Sequence, residues 1–385
     1  MTELKIEQYK DKKLVIISHT EHYLNGNEIV GWGPTIREIN FLSNYFGEII
    51  HIATLHPTAA PMSAEGYSNS NIKFVALEPF GGPRIIDKLK ILGTMFKTIK
   101  QISGFTKNAD FVQLRLPTGI GVYLLPYFSW FARRNFKFWV KYAGNWAESN
   151  PPLGYAFQRW FLKQNLAKCP VTMNGFWDDQ PKHCISFENP CLTEVQIEEG
   201  KKITDLKSFE KPFNLIFIGR LEEAKGVNRI LDSCKDINSN LISKIDFVGD
   251  GEVIEAYKLM AKELAIPCHF HGGRGNEFVH ELLKEAHFLL IPSTASEGFP
   301  KVIAEAACYG VIPIASDVGS IAHYITPNYG FIWKLAESES FNTVFQETLN
   351  TPLKLLQEKS KSVIDIAELF SFKSYLNKLI INKIV

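Results

Sequence analysis

Short apolar runs alternate along most of the chain with stretches whose apolar residues recur every three or four positions. The first pattern predicts buried strands and the second predicts amphipathic helices. In the first half, strands are expected at KLVIIS (13–18), EIIHIAT (48–54), IKFVAL (72–77), DFVQLR (110–115), FKFWVKY (136–142) and PVTMN (170–174). A helix over 34–46 places Ile36, Ile39, Leu42 and Phe46 on one side. The rhythm restarts at FNLIFIG (213–219), followed by KIDFVG (244–249), CHFHG (268–272) and HFLLIP (287–292). Helices are expected between these strands, from Val227, from Glu252, near 276–285 and over 300–309.

Strand and helix in regular alternation is the pattern of parallel α/β sheets. The polar stretch EVQIEEGKKITDLKSFEKP (194–212) reads as a linker between two such sheets. It sets an N-terminal α/β domain at 1–193 and a second one at 194–365. Residues 366–385 are helix-rich and are expected to pack back on the first domain. Ligands of such sheets bind beyond the strand C-termini, so a site is expected in a cleft between the two domains.

A length of 385 residues agrees with two cores rather than one. The 45% hydrophobic and 22% charged composition is that of a soluble globular protein, and a net charge of +1 argues against a nucleic-acid binder. The opening MTELKIEQYKDKKLVIISH has no apolar core of a signal peptide, and the apolar run at 119–132 is too short to cross a bilayer. Six scattered cysteines (169, 184, 191, 234, 268 and 308) read as reduced packing residues. The expected location is the cytoplasm, at or near the inner face of the cell membrane.

The chemistry concentrates in PSTASEGFPKVIAEAACYG (292–310), where two carboxylates, Glu297 and Glu305, stand in an otherwise small and apolar run. Pro300 suits the first turn of a helix and Gly310 its stop. The N–H groups around residues 299–302 then lack partners inside the helix and favour an anion. A carboxylate accepts bonds from vicinal hydroxyls. One ligand could therefore set hydroxyls on Glu305, phosphate at the helix start and further hydroxyls on Glu297, which is the order of a nucleoside diphosphate sugar. The alternative is a capping Glu297 and a solvated Glu305. A second cluster, FIGRLEEAKGV (217–227), places Arg220 and Lys225 on a strand-to-helix loop, where two cations can neutralise a diphosphate leaving group.

Quoted together, GRLEEAKGV, FVGDGE, HFHGGRG and PSTASEGFPKVIAEAACYGVIPIAS resemble the donor-binding half of the GT-B glycosyltransferases, specifically the GT4 family, over about residues 213–320. The resemblance implies a GT-B fold of two Rossmann-like domains facing across a cleft. It implies that Glu305 binds the ribose and Glu297 a donor-sugar hydroxyl. Arg220 and Lys225 would hold the diphosphate, assisted by Gly298, Phe299 and Lys301 around Pro300. Gly272, Gly273 and Arg274 would flank the base. Retention of anomeric configuration and catalysis without a metal are also implied, and no Asp-x-Asp occurs in the chain. No cofactor is expected, the nucleotide sugar being a substrate.

In the N-terminal half the resemblance covers layout more than motifs. NGNEIVGWGPTIREI (25–39) follows the first strand, with Gly31 and Gly33 opening a helix and allowing close backbone approach to phosphate. The position where the family carries a catalytic histidine reads AGNW (143–146), leaving Asn145 as the nearest polar candidate, with His19 and His22 as alternatives. His269 and His271 share one side of a strand and read as buried imidazoles rather than metal ligands. PRIIDKLKILGTMFKTIKQISGFTK (83–107) and YFSWFARRNFKFW (127–139) interleave cations with apolar residues, which suits either an ordinary helix edge or peripheral membrane association. The activity expected is transfer of a sugar to a saccharide or lipid-linked acceptor in surface-polysaccharide assembly. The alternatives are an epimerase or hydrolase on the same fold, or a silent nucleotide-sugar-binding subunit.

Overall fold

Residues 14–17, four consecutive aliphatic side chains, are wholly buried at the centre of a sheet covered on both faces. The computed structural model that shows this describes residues 9–79, 93–133, 135–295 and 298–385. It divides into two units, Met1–Glu188 together with Tyr375–Val385, and Asn189–Ser374. The division falls at 188/189, a few residues ahead of the expected 193/194, and residues 366–374 stay with the second unit.

Unit 1 contains β1 (Lys13–Asn25), β2 (Glu28–Trp32), α1 (Gly33–Ser43), β3 (Glu48–Leu55), β4 (Ala64–Gly66), β5 (Ile72–Leu77), α2 (Met95–Thr106), β6 (Phe111–Leu116), α3 (Gly121–Pro126), a π-helical turn at Tyr127–Phe131, β7 (Lys137–Tyr142), α4 (Leu153–Lys163), β8 (Val171–Asn174) and β9 (Cys184–Phe187). Parallel pairing runs β5-β3-β1-β6-β7-β8-β9. One face packs Val15, Ile17, Val112 and Leu114 under Ile102 of α2, Leu124 of α3 and Phe161 of α4. The opposite face packs Leu14, Ile16 and Trp139 under Ile39 and Leu42 of α1 and under Tyr375 and Leu379 of the C-terminal helix Phe372–Ile381. The apolar run at 119–132 forms α3 and the π turn. Among the described residues no helix is long and apolar enough to cross a membrane.

The first strand does not end at residue 18. Its register shifts between Ile17 and Glu21, and the chain then continues, turns at Gly26 (φ +61) and pairs antiparallel with β2. Alternation of apolar and polar residues is poor in this hairpin, so the periodicity of the sequence did not reveal it.

Unit 2 contains α5 (Glu194–Leu206), β10 (Phe213–Ile218), a 3-10 turn at Glu223–Lys225, α6 (Val227–Lys235), β11 (Ile242–Val248), α7 (Ile254–Ala261), β12 (Cys268–Phe270), α8 (Asn276–Glu285), β13 (Phe288–Ile291), α9 (Lys301–Ala307), β14 (Ile312–Ser316), α10 (Ile321–Tyr324), β15 (Phe331–Trp333), α11 (Phe341–Leu349) and α12 (Leu353–Leu369). The sheet is parallel throughout, in the order β12-β11-β10-β13-β14-β15. The expected linker at 194–212 is largely the helix α5. Thr193 caps it by accepting from the Gln196 N–H while the Gln196 side chain accepts from Thr193, a reciprocal pair that starts a helix even in a polar sequence. Only Ile197, Gly200 and Thr204 of α5 are buried, a stripe too narrow to stand out in the pattern. Gly200 is needed there, since a Cβ would lie 2.1 Å from the Cys308 carbonyl oxygen.

Candidate active site

Adjacent parallel strands deliver their C-terminal loops side by side, and β10 and β13 are such neighbours. The loop after β10 carries Arg220 and Lys225. The Ala224 carbonyl accepts the Thr294 N–H at 2.8 Å and also faces the Ser293 and Thr294 hydroxyls at 3.3 and 3.4 Å. That three-donor clasp fixes the two loops against each other. Gly226 closes the turn with φ +83, and a Cβ there would lie 2.2 Å from the Pro292 carbonyl oxygen. Only glycine meets both demands.

Arg220 is largely exposed and pairs with Glu222 at 2.9 Å. Burial holds the Lys225 ammonium below the usual lysine range, and the neighbouring Arg220 guanidinium lowers it further. Two cations are thus held close enough to repel, and an anion bound between them would relieve that repulsion. The Arg220–Glu222 pair is solvent-exposed, a class of contact that contributes about 0–1 kcal/mol and exchanges easily for a ligand.

The loop after β13 is pinned from below. The Gly298 carbonyl accepts the Ser320 N–H at 3.1 Å and its hydroxyl at 3.2 Å. Phe299 is buried, stacked on Phe370 at 4.6 Å and edge-on to Tyr324 at 4.8 Å. Pro300 is not in the first helical turn. It is the extended residue ahead of it (φ −66, ψ 120), and α9 starts at Lys301. The Lys301 ammonium donates to the Pro190 carbonyl at 2.8 Å. Glu297 lies outside the described residues.

Glu305 faces inward, 8% exposed, and its Oε1 receives the Asn276 side-chain amide at 3.4 Å. A Glu305 on a solvated helix face is thereby ruled out. Asn276 opens α8 directly after the loop that follows β12, the loop that carries Gly272, Gly273 and Arg274. Gly272 adopts φ +69 and its carbonyl accepts the Gly249 N–H at 2.9 Å. A Cβ on Gly273 would lie 2.4 Å from Asp250 Oδ2. Arg274 lies over the Phe278 ring, 5.1 Å from its centroid. His271 bonds Asp246 at 2.7 Å, whereas His269 is exposed, contrary to the expected pair of buried imidazoles: β12 is the edge strand of the sheet, so its side chains are only partly covered. Among the described residues no group of three or more His, Cys, Asp or Glu is placed to hold a metal ion.

In unit 1, Gly31 does not open a helix. It sits inside β2 opposite His22, and a Cβ would lie 2.6 Å from the imidazole. The unexpected hairpin accounts for the difference. Gly33 is the first residue of α1 and is closed over by Ser63 and Glu65. Asn145 is half-buried, and its side-chain oxygen accepts the Ala147 N–H at 2.9 Å, a local turn. His19 is exposed on the β1 bulge.

His22 belongs to a buried chain that sequence reasoning missed. Its Nδ1 lies 2.9 Å from the Thr20 carbonyl, which can only accept, so Nδ1 carries the proton. Nε2 must then accept from the Tyr67 hydroxyl at 2.8 Å, and the Tyr67 oxygen accepts from His51 Nδ1 at 2.7 Å. His51 Nε2 accepts in turn from Ser18 at 2.8 Å. Burial lowers the His22 pKa to about 4 and holds His51 well below the usual range, which keeps both rings neutral. Nearby, buried Glu38 bonds Arg115 at 2.8 Å and Lys141 at 2.7 Å, with Lys141 over the Tyr375 ring at 4.7 Å. These residues are scattered singly through the sequence, from 18 to 375, so no local motif marks them.

The residues of unit 2 that carry the clasped loops fall within 198–368, which match the model of the family described as glycosyl transferases group 1. The crystal structure of Anabaena Alr3699/HepE in complex with UDP is similar over 96% of this chain and 99% of its own, with a TM-score of 0.65 and 14% identity. The architecture is GT-B, two parallel-sheet units in one chain. Over residues 198–368, a little under half of its length, the chain is similar to the glycosyl transferases group 1. Lipopolysaccharide 1,2-N-acetylglucosaminetransferase of Salmonella typhimurium is 26% identical over 165 residues, 39% of this chain and 43% of the relative. Lipopolysaccharide 1,6-galactosyltransferase of Escherichia coli K12 is 28% identical over 209 residues, 51% and 54% of the two chains. The chain thus spans about half the length of these relatives.

Proposed function

We propose that the chain is a retaining glycosyltransferase of the GT4 type, independent of a bound metal. It moves a sugar from a nucleoside diphosphate donor to a saccharide or lipid-linked acceptor in surface-polysaccharide assembly, at the cytoplasmic side of the membrane. The observation that carries this reading is the Ala224 clasp, which holds the Arg220–Lys225 turn against the loop leading to Gly298 and Phe299. Buried Glu305, which accepts from Asn276 at the start of α8, supplies an acceptor for ribose hydroxyls. The family match, the UDP complex of the structural neighbour and the names of the two relatives support the same class of donor and pathway.

In the reaction, the bond from the anomeric carbon to the diphosphate oxygen breaks as the acceptor hydroxyl oxygen attacks from the same face. The acceptor proton passes to a phosphate oxygen of the leaving group. Arg220 and Lys225 offset the charge that grows on that group, and fixed cations are most effective where charge develops. Glu297 binds a hydroxyl of the transferred sugar, and the amides of Gly298, Phe299 and Lys301 face the phosphates. Asn145 is a polar contact for the acceptor side.

The test is transfer measured with a panel of nucleotide sugars and saccharide or lipid-linked acceptors, with and without EDTA. Lys225→Ala should cost on the order of 10²-fold in kcat/KM, the scale for removing one charge-stabilising group. A loss within about threefold removes Lys225 from the reaction. Sugar release or isomerisation without acceptor, or donor binding with no turnover, would replace the transferase reading.

A further inference from the structure

The turn at Gly26 folds β1 and β2 into a hairpin, and β4 pairs with the other side of β2, so β2 is the middle strand of three. Side chains of a strand alternate between its faces. His22 and Gly31 stand opposite each other on the face turned to the core, where a Cβ on Gly31 would meet the imidazole at 2.6 Å. One step along each strand come Glu21 and Trp32, whose side chains therefore share the other face.

Trp32 is 53% exposed there, although it belongs to a middle strand. Its cross-strand neighbour is Ala64, too small to cover the indole. The ladder to β4 and the Gly33 N–H, which donates to the Ser63 carbonyl at 3.2 Å, hold the backbone beneath the ring. Glu21 is exposed, and the Tyr23 hydroxyl donates to its Oε2 at 2.5 Å. Tyr23 itself is buried, its ring 5.9 Å from that of His56. Among the described residues Glu21 has no cationic partner, its Oε1 accepts no hydrogen bond and the Trp32 indole N–H donates none. A flat ring with a free donor thus stands beside a fixed carboxylate with a free oxygen. The pair lies past the main parallel run of β1 and directly ahead of α1, at the edge of an α/β sheet where ligands bind.

The size and charge of this surface select its occupant. Leu24 alternates onto the His22 face, which leaves Met62 (73% exposed), two residues before Ala64, as the other exposed apolar side chain near the ring. Two such side chains offer roughly 300 Å² at most, against about 800 Å² on each partner of a stable protein interface. A nucleotide or an acidic lipid would bring phosphate toward the Glu21 carboxylate, which repels it. A neutral pyranose suits both halves. Its C–H face, polarised by the attached oxygens, lies on the electron-rich face of the indole, and hydroxyls at its rim donate to the carboxylate.

We infer that Trp32 and Glu21 form a subsite for a neutral pyranose ring of the acceptor, the ring stacked on the indole and a ring hydroxyl bonded to Glu21 Oε1. The saccharide contact stands on the hairpin geometry, and its assignment to the acceptor rests on the transferase reading. Both residues then determine specificity, Trp32 by shape and Glu21 by turning away acidic sugars.

The experiment is saturation-transfer-difference NMR of the purified full chain with the methyl glycosides of glucose, galactose, N-acetylglucosamine and glucuronic acid. UDP binding and sugar transfer are measured on the same samples. At least one neutral glycoside should bind, with saturation strongest at the C–H groups of one ring face, and the glucuronide at least about tenfold more weakly. Trp32→Ala should weaken the neutral glycoside at least about tenfold, and Trp32→Phe should keep most of the affinity. Glu21→Gln should narrow the disadvantage of the glucuronide, and because it preserves side-chain size the test survives if Trp32→Ala folds poorly. Melting and UDP affinity should be unchanged in all three variants. A wild type that binds no neutral glycoside, or variants that bind every glycoside as wild type does, overturns the subsite. So does a wild-type dimer in light scattering that Trp32→Ala abolishes. Sugar transfer by a protein whose glycoside binding ignores Trp32 overturns the subsite alone, whereas Trp32-dependent glycoside binding with no transfer to any acceptor overturns the transferase reading and leaves the saccharide contact.

Discussion

Gly226→Ala tests the clasp directly. The residue adopts φ +83, where an L side chain costs about 1–3 kcal/mol. The added Cβ would also stand 2.2 Å from the Pro292 oxygen and 3.0 Å from its carbonyl carbon, both backbone atoms of the neighbouring loop that cannot rotate away. The two effects together give about 2–4 kcal/mol, the range of strained core substitutions. For a unit of this size each kcal/mol moves the melting midpoint by about 2–4 °C, so a fall of roughly 4–16 °C is expected. Relief of the collision requires the 223–226 turn to move off the 292–294 loop, carrying Lys225 with it. Nucleoside diphosphate affinity should therefore fall by on the order of tenfold or more, about 1.4 kcal/mol. Differential scanning fluorimetry reads the first quantity and calorimetric titration with UDP, ADP and GDP the second. Gly104→Ala is the control, because nothing lies within 4 Å of a Cβ there and the helix should gain about 0.5–1 kcal/mol. A Gly226→Ala protein that melts within about 1 °C of wild type and binds its nucleotide equally well would refute the reasoning.

Three further predictions follow the same logic. Glu38→Ala leaves Arg115 and Lys141 without the carboxylate they share, which should cost about 3–5 kcal/mol in urea unfolding; a loss under about 1 kcal/mol would show that another group takes its place. His22 has a folded-state pKa of about 4, below its unfolded value, so stability should fall as pH drops from about 6.5 to about 4, by up to roughly 3 kcal/mol, and then level off. His22→Asn should flatten part of that slope in urea titrations at several pH values. Lys225 carries a lowered pKa, so nucleoside diphosphate binding should weaken as pH rises at a lower pH than an ordinary lysine would allow, and Lys225→Arg should move that loss upward.

The two α/β units were readable because parallel strands buried on both faces are nearly unbroken apolar runs, as in residues 14–17 and 288–291. The β1–β2 hairpin and the helix α5 were not. The first depends on a bulge and a turn at Gly26, and the second on a reciprocal cap at Thr193 with a three-residue buried stripe. Within the candidate site, Arg220, Lys225 and Glu305 stand in short contiguous motifs and could be named. Asn276, Asp250 and the Ala224 carbonyl could not, because their part consists of contacts between separate loops. The Ser18–His51–Tyr67–His22 chain is the extreme case, a set of ordinary residues joined by sheet pairing and the hairpin.

Tyr375, Leu376 and Leu379 complete the α1 face of a sheet whose strands were all synthesised by residue 187. On the ribosome, that face must wait exposed while the intervening 189–374 emerge and fold. A nascent chain stalled before residue 375 should therefore hold its first unit in an open, chaperone-seeking form.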